Sequence, residues 1–371
     1  MMESIASVIV QYPTLDIHRI EPMDRTGGLS GAELWKLHVR EGSAGFCLRR
    51  WPVGHPSFAQ LVFIHRVVAH SYAAGCRFLS VPIQNQNGQT VTRVANGALV
   101  SGDDLDSARR VSVEQETLWE VSPWMPGQAD YCDNPNAIRR RNMMRALASF
   151  HLASAQITLD FHTSPNLQRR YSQLVEFLEP TNLSVLENAE IPSSIWLDAE
   201  LAQEIDELRQ LVTGPGLALV RKLLSSRVFP TLLSFSNPDV LPSMILPVQP
   251  VLRDCWHDHV LFRGDTVTGI IDYGAMQIDN VAFDIARLLG TTVPDDQELW
   301  DQSVADYCEL RQLSEMERKL LPWIDQTGVF IGSCHWIQWL MIEKRTFRDW
   351  SLVKRRVRFH KQKIQRLIER G

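Results

Sequence analysis

Residues 251–274 read VLRDCWHDHVLFRGDTVTGIIDYG. Two short apolar runs, Val260-Leu261-Phe262 and Val267 to Ile271, flank a turn, so the stretch predicts a β-hairpin. Arginine, aspartate and histidine crowd its approach between Arg253 and His259. A hydrophobic core needs no such cluster. Asp254 follows an apolar run and precedes a turn. Asp272 stands eighteen positions later, where the strand VTGII would lift its carboxylate to the rim of a cleft. Gly274 relaxes the backbone behind it. Two carboxylates held this way suit a division of labour, one as base and one as metal ligand; as bare turn residues they would only flank a hairpin.

Working outward, the first third is strand-rich. ELWKLHV and GFCLRRW, joined by the turn REGSAG, read as a hairpin. SFAQLVFIHRVVAHSYAAG spaces its apolar residues helically and stops at Gly75. TVTRVANG and TLWEVSPW are further strands, and the polar stretch SGDDLDSARRVSVEQE between them predicts an exposed loop. NAIRRRNMMRALASFHLAS predicts a long amphipathic helix. Residues 165–225 read as helices broken at EIPSS and TGPG, and the proline-rich FSNPDVLPSMILPVQP reads as a loop leading into the hairpin. The layout is a β-rich lobe over residues 1–125 and a larger, mostly helical lobe over residues 126–371.

Phosphoryl transfer needs backbone N–H groups or cations around phosphates, hard oxygen ligands for magnesium, and a carboxylate to accept the hydroxyl proton. GGLSGAELW places Gly27, Gly28, Ser30 and Gly31 in a turn before a strand, where backbone can approach a phosphate closely; an ordinary hairpin turn uses the same residues. FCLRRWP puts Arg49 or Arg50 on the next strand, within reach of phosphates, or simply at a sheet edge.

These parts together, and above all LRDCWHDHVLFRGDTVTGIIDYGAMQIDNVAFDIARLL, resemble the aminoglycoside phosphotransferase family. That resemblance implies an α+β, bilobal, protein-kinase-like fold and an ATP- or GTP-dependent phosphotransferase acting on a small hydroxylated molecule. By the match of motifs, Asp254 would be the catalytic base and Asp272 the principal Mg²⁺ ligand, with Mn²⁺ as an alternative ion. Arg49 would replace the usual phosphate-binding lysine. The backbone from Glu120 through Ser122 to Trp124, in LWEVSPWMPG, would hold the nucleotide base. Asp284, in the AFDIA helix start, would be structural.

Four positions depart from the family pattern. Where His-Gly-Asp is usual, the chain has Leu252-Arg253-Asp254, and Arg253 would depress the carboxylate pKa, touch phosphate or brace the loop. His259 occupies the asparagine position. As a metal ligand its nitrogen suits Zn, Mn or Fe better than Mg²⁺; otherwise it hydrogen-bonds Asp254 or Asp272 and binds no metal. The helix FAQLVFIHRVV offers no glutamate for the phosphate-binding cation, with His65 or Gln60 near that place. Asn280 and Val281 stand where proline is expected. A degenerate, non-catalytic binding module is the alternative these departures raise.

Net charge −5 excludes nucleic-acid binding by the chain as a whole. The basic tail from Lys344 to Arg370 would contact an anionic partner or balance acidic residues of its own chain. Trp256, His151, Trp336 and Trp339 read as packing residues, and His257 as a candidate for substrate contact. Six scattered cysteines without a CxxC pair, no signal sequence and no long apolar run predict a soluble, reduced, cytoplasmic protein.

Overall fold

The computed structural model describes residues 2–23, 31–40, 45–95, 98–99, 116–196, 198–226, 245–293, 296–347 and 349–370. The elements run α1 (Met2–Ile9), β1 (Ile17–Pro22), β2 (Glu33–Val39), β3 (Phe46–Arg50), α2 (Phe58–Ala73), β4 (Thr92–Ala95), β5 (Ala98–Leu99), β6 (Glu116–Pro123), α3 (Ala137–Ser154), β7 (Asp160–Thr163), α4 (Pro165–Phe177), α5 (Pro180–Glu187), α6 (Ser193–Trp196), α7 (Ala199–Thr213), α8 (Gly216–Leu224), β8 (Ile245–Val251), β9 (Val260–Arg263), β10 (Thr266–Ile270), β11 (Gln277–Asp279), α9 (Ala282–Thr292), α10 (Gln297–Cys308), α11 (Glu315–Ile337) and α12 (Trp350–Glu369). Packing divides the chain into two compact units. One comprises Met1–Thr158, Gln249–Ile278 and Glu298–Arg311; the other Leu159–Val248, Asp279–Gln297 and Gln312–Gly371.

The first unit is organised by an antiparallel sheet ordered β1-β2-β3-β6-β4-β5. The two-residue period of its strands separates two chemistries. On one face Trp35, Leu37, Leu48, Trp119 and Val121 form a core closed by Ile5 and Val8 of α1. The alternate residues, Cys47 opposite Ser122 and Arg49 opposite Glu120, fall on the other face. α2 starts at the Ser57 cap, which accepts from the Gln60 N–H, and buries Leu61, Ile64 and His65.

The β9–β10 hairpin forms as its apolar alternation predicts, with Val260 opposite Ile270 and Phe262 opposite Val267. Gln128 exchanges both backbone bonds with Phe262, at 3.0 and 2.9 Å. Gly127 makes this approach feasible: its φ is +107°, and a Cβ there would stand 2.7 Å from the Phe262 carbonyl oxygen. α3 packs against α2 and β10. Residues 126–158 belong to the same compact unit as the sheet.

In the second unit α11 packs on α9 and α12, and α12 on α7. The basic helix α12 lays its cations on the acidic N-cap and stripe of α7: Lys354 meets the cap residue Asp198 at 3.0 Å, Arg358 meets Glu204 at 3.1 Å, and Lys361 meets Glu204 and Glu207, both at 2.6 Å. Much of the tail's charge is thus answered within its own chain. Asn280 accepts the Ala282 N–H at 2.9 Å and starts α9 in place of proline. The second part of the proline-rich stretch is strand and not loop: Ile245 to Val248 pair with Thr163 to Asp160 of β7. The Pro247 carbonyl accepts from the Asn280 amide at 2.7 Å. Residues 227–244 and the polar stretch at 101–115 lie outside the described residues. No described helix is long and apolar enough to cross a membrane.

Candidate active site

A cavity of about 220 Å³ lies in the first unit, between the polar face of the sheet, α2 and the β9–β10 hairpin. Arg49, Glu120, Ser122 and Asp272 line it, with Leu261 and Ile271 on its apolar side. Four of the residues marked out in the sequence are therefore brought to one wall. Gly31 is at a left-handed turn, φ +76°, just before β2. Gly27, Gly28 and Ser30 lie outside the described residues.

Arg49 is the hub. Its Nη1 donates to Asp272 Oδ1 at 3.0 Å, its Nε lies 3.9 Å from Glu120 Oε1, and its guanidinium sits 4.6 Å over the Trp51 ring. Although burial works against a charged guanidinium, the two carboxylates outweigh it and hold the pKa of Arg49 above its ordinary value. Asp272 has a φ of +66°. Burial pushes its pKa up, but the Arg49 guanidinium, His259 and the Gly274 N–H together outweigh this, so the carboxyl stays below its usual range. Gly274 serves proximity: a Cβ there would lie 2.6 Å from the Trp51 ring.

The expected absence of a carboxylate partner for Arg49 is corrected by the structure. Glu120 is not merely hinge backbone; its side chain is buried in the site. Burial raises its pKa, and the hydrogen bond from His65 together with the charge of Arg49 brings it below the ordinary carboxylate value. His65 Nε2 is 2.7 Å from Glu120 Oε2, and its Nδ1 is 2.8 Å from Thr90 Oγ1. A helix that lacks glutamate thus supports one on a neighbouring strand. Sequence reasoning missed this because it sought the carboxylate on α2; the cross-strand register of FCLRR and TLWEVSP carries the signal. The backbone of that stretch is largely engaged by protein: Trp124 N donates to Gly45 O at 3.1 Å, and Pro123 O accepts from Ser80 Oγ at 2.7 Å.

His259 lies beside Asp272, with Nε2 3.7 Å from Oδ2. The Trp256 indole N–H donates to the same Nε2 at 2.9 Å. Because an indole can only donate, Nε2 must be the unprotonated nitrogen, and Nδ1 carries the hydrogen it gives to the Asp254 carbonyl at 2.7 Å. The lone pair facing Asp272 is therefore engaged by tryptophan. Trp256, read as packing, also fixes a tautomer. Among the described residues no three metal-ligating side chains gather around one point. Asp272, about one-third exposed, has the hard oxygen that a magnesium–phosphate unit takes from a protein; His259 in this arrangement does not offer a nitrogen.

Asp254 is half-buried in the loop after β8 and joins the site through its carbonyl. Arg253 takes a φ of +66°, which explains why glycine is usual at this place in the resembled family, and its guanidinium donates to the Gln277 side chain. Neither residue is part of the cavity wall. His257 pairs with Asp258 at 3.1 Å; burial lowers its pKa, but the carboxylate and the nearby Cys132 outweigh it and raise it to about 9. His151 is a satisfied core histidine, 2.8 Å from the Tyr307 hydroxyl. All six cysteines are free thiols.

The sequence profile of the Phosphotransferase enzyme family matches residues 27–323. No curated protein matches the chain by sequence. By structure the chain is similar to a spectinomycin phosphotransferase solved with ADP and spectinomycin, with a TM-score of 0.57, 11% identity, and 100% of this chain and 98% of that one covered. An aminoglycoside phosphotransferase from Alicyclobacillus acidocaldarius gives a TM-score of 0.53 at 14% identity, covering 98% and 94% of the two chains. A microcompartment-associated aminopropanol kinase gives 0.51 at 14% identity, covering 98% and 97%.

Proposed function

Because the chain belongs to the phosphotransferase enzyme family, we propose that it transfers the γ-phosphoryl group of ATP or GTP to a hydroxyl of a small molecule. The observation that carries this reading is the Arg49–Asp272 pair on the wall of a cavity with an apolar side. The cavity would hold the nucleotide base against Leu261 and Ile271, near the backbone of Ser122 to Trp124. Arg49 would bind phosphate, aided by the glycine-rich segment from Gly27 and Gly28 through Ser30 to Gly31. Asp272 would hold a magnesium ion, which supplies charge neutralisation at the phosphates. Asp254 would orient the acceptor hydroxyl and take its proton. His259 supports both carboxylates' segments from outside the ion's ligands, tied to the Asp254 carbonyl and to Trp256. Arg253 braces the loop through Gln277.

The test is nucleotide turnover on a panel of hydroxylated molecules with Mg²⁺ or Mn²⁺, for wild type, Asp272→Ala and Asp254→Asn. The reading expects turnover by wild type and its loss in both variants, with nucleotide affinity weakened chiefly by Asp272→Ala. Turnover indifferent to Asp272→Ala rejects the assigned role. Nucleotide binding without turnover on any acceptor favours a binding module on the same fold.

A further inference from the structure

We propose that Glu120 is the positioning residue for the phosphate-binding cation, and that His65 holds Glu120 in place. This inference rests on the phosphotransferase reading and adds to it the source of Arg49's counter-charge. Arg49 and Glu120 are direct partners across β3 and β6, two interior strands of the six-stranded sheet. Opposed residues of an antiparallel pair point to the same face at a separation fixed by the backbone. The carboxylate is thus preorganised beside the guanidinium, with Oε1 3.9 Å from Nε.

The other oxygen, Oε2, is taken by His65 Nε2 at 2.7 Å. A carboxylate accepts and cannot donate, so Nε2 carries the hydrogen. Thr90 at 2.8 Å from Nδ1 fixes the ring from its other side. His65 is 4% exposed, Glu120 8%. Such burial makes the geometry insensitive to solvent and keeps Glu120 from turning elsewhere.

Glu120 matters because Asp272 serves two masters. Asp272 Oδ1 accepts from Arg49 Nη1 at 3.0 Å. Once its oxygens face a magnesium–nucleotide, less of its charge remains for the arginine. Glu120 is committed on both oxygens: Oε2 is bonded to His65 and Oε1 faces Arg49. It stays as the fixed counter-charge that keeps the guanidinium over Trp51 and pointed at phosphate.

The experiment measures affinity of the full chain for a non-hydrolysable ATP analogue with Mg²⁺ by calorimetry, beside KM and kcat for ATP. Glu120→Gln keeps size and removes charge; it should weaken analogue binding about tenfold and raise KM more than it lowers kcat. The decisive variant is the double change His65→Glu with Glu120→Gln. It moves the carboxylate to α2 and should regain about threefold of the lost affinity, a rescue that a packing role does not give. Affinity of Glu120→Gln within about twofold of wild type overturns the proposal, as does a double variant no better than Glu120→Gln alone. If Glu120→Gln does not melt cooperatively, Glu120→Asp replaces it: drawing the carboxylate back by one carbon should weaken binding, and unchanged binding overturns the proposal. A wild-type chain that binds no analogue rejects the functional reading itself, and this inference with it.

Discussion

The Arg49–Asp272 contact predicts a measurable coupling. In Arg49→Met a guanidinium between two carboxylates becomes a shorter, apolar chain. At 3.0 Å the attraction to Asp272 is about 5 kcal/mol at an effective dielectric of about 20, before desolvation is subtracted. Breaking a buried ion pair costs about 3–5 kcal/mol, and His65 still serves Glu120, so about 3 kcal/mol is expected. Asp272→Asn should cost about 1.5 kcal/mol, because Arg49 retains Glu120 and Asp272 is partly solvated. The double variant should then cost about 3 kcal/mol, a coupling of about 1.5 kcal/mol. Tryptophan-fluorescence melts of the four proteins, without nucleotide, measure it. Asp272 and Glu120 both have pKa values lowered on folding, so their stabilisation is complete above the unfolded carboxylate range and is lost as pH falls through the folded values. The gap between wild type and Arg49→Met should therefore close on acidification. Coupling below about 0.3 kcal/mol, or a gap that widens in acid, refutes the assignment.

Three further outcomes follow from other contacts. Trp256→Phe deletes the donor to His259 Nε2 and should tighten Zn²⁺ binding about tenfold by freeing the imidazole, measured by competition with a chelating dye; unchanged affinity shows that the indole does not occupy that nitrogen. Arg253→Gly should melt above Arg253→Val by a margin of about 1–2 kcal/mol, because the position's φ of +66° is open to glycine and strained for a β-branched residue; equal melting points contradict a left-handed loop. Glu204→Lys sets a cation between Arg358 and Lys361 and should cost about 1–2 kcal/mol in low salt and less in high salt; a loss independent of salt means that packing, not charge, joins α7 to α12.

The sequence was legible where local chemistry and periodicity agree. Alternation in ELWKLHV and FCLRR shows the β2–β3 hairpin, and the Ser57 cap and Gly75 bound α2. α1 was not legible: eight residues are too short to declare a helix, and its Ile5 and Val8 gain meaning only against Trp35 and Trp119. β8 was hidden by Pro247 and Pro250, which in isolation argue for a loop. Near the cavity, the β9–β10 hairpin that precedes Asp272 was legible because it is a local motif. The Glu120–His65 pair spans 55 positions, and only sheet register plus helix docking brings it together. The Trp256–His259 bond is three residues long, but which nitrogen the indole meets is decided by side-chain orientation, which spacing does not encode.

The departures from the family pattern bear on whether this is a working or an abandoned site, and they are connected. Arginine in place of lysine presents a planar fork with several donors, and here the fork has two carboxylates to meet instead of one. The helix without glutamate carries His65, which holds a strand glutamate as the second of those carboxylates. A site that had merely drifted would carry these buried charges without partners, each costing several kcal/mol. Instead each substitution is answered by a neighbour, and both carboxylates of the network, Glu120 and Asp272, line the cavity, with Asp272 the more exposed. A purely structural network needs no such exposure, since an ion pair used for stability alone gains from being closed off. The exposed carboxylate supports a site kept for a phosphate and a cation, and the rescue of Glu120→Gln by a carboxylate at position 65 is the measurement on which that argument stands or falls.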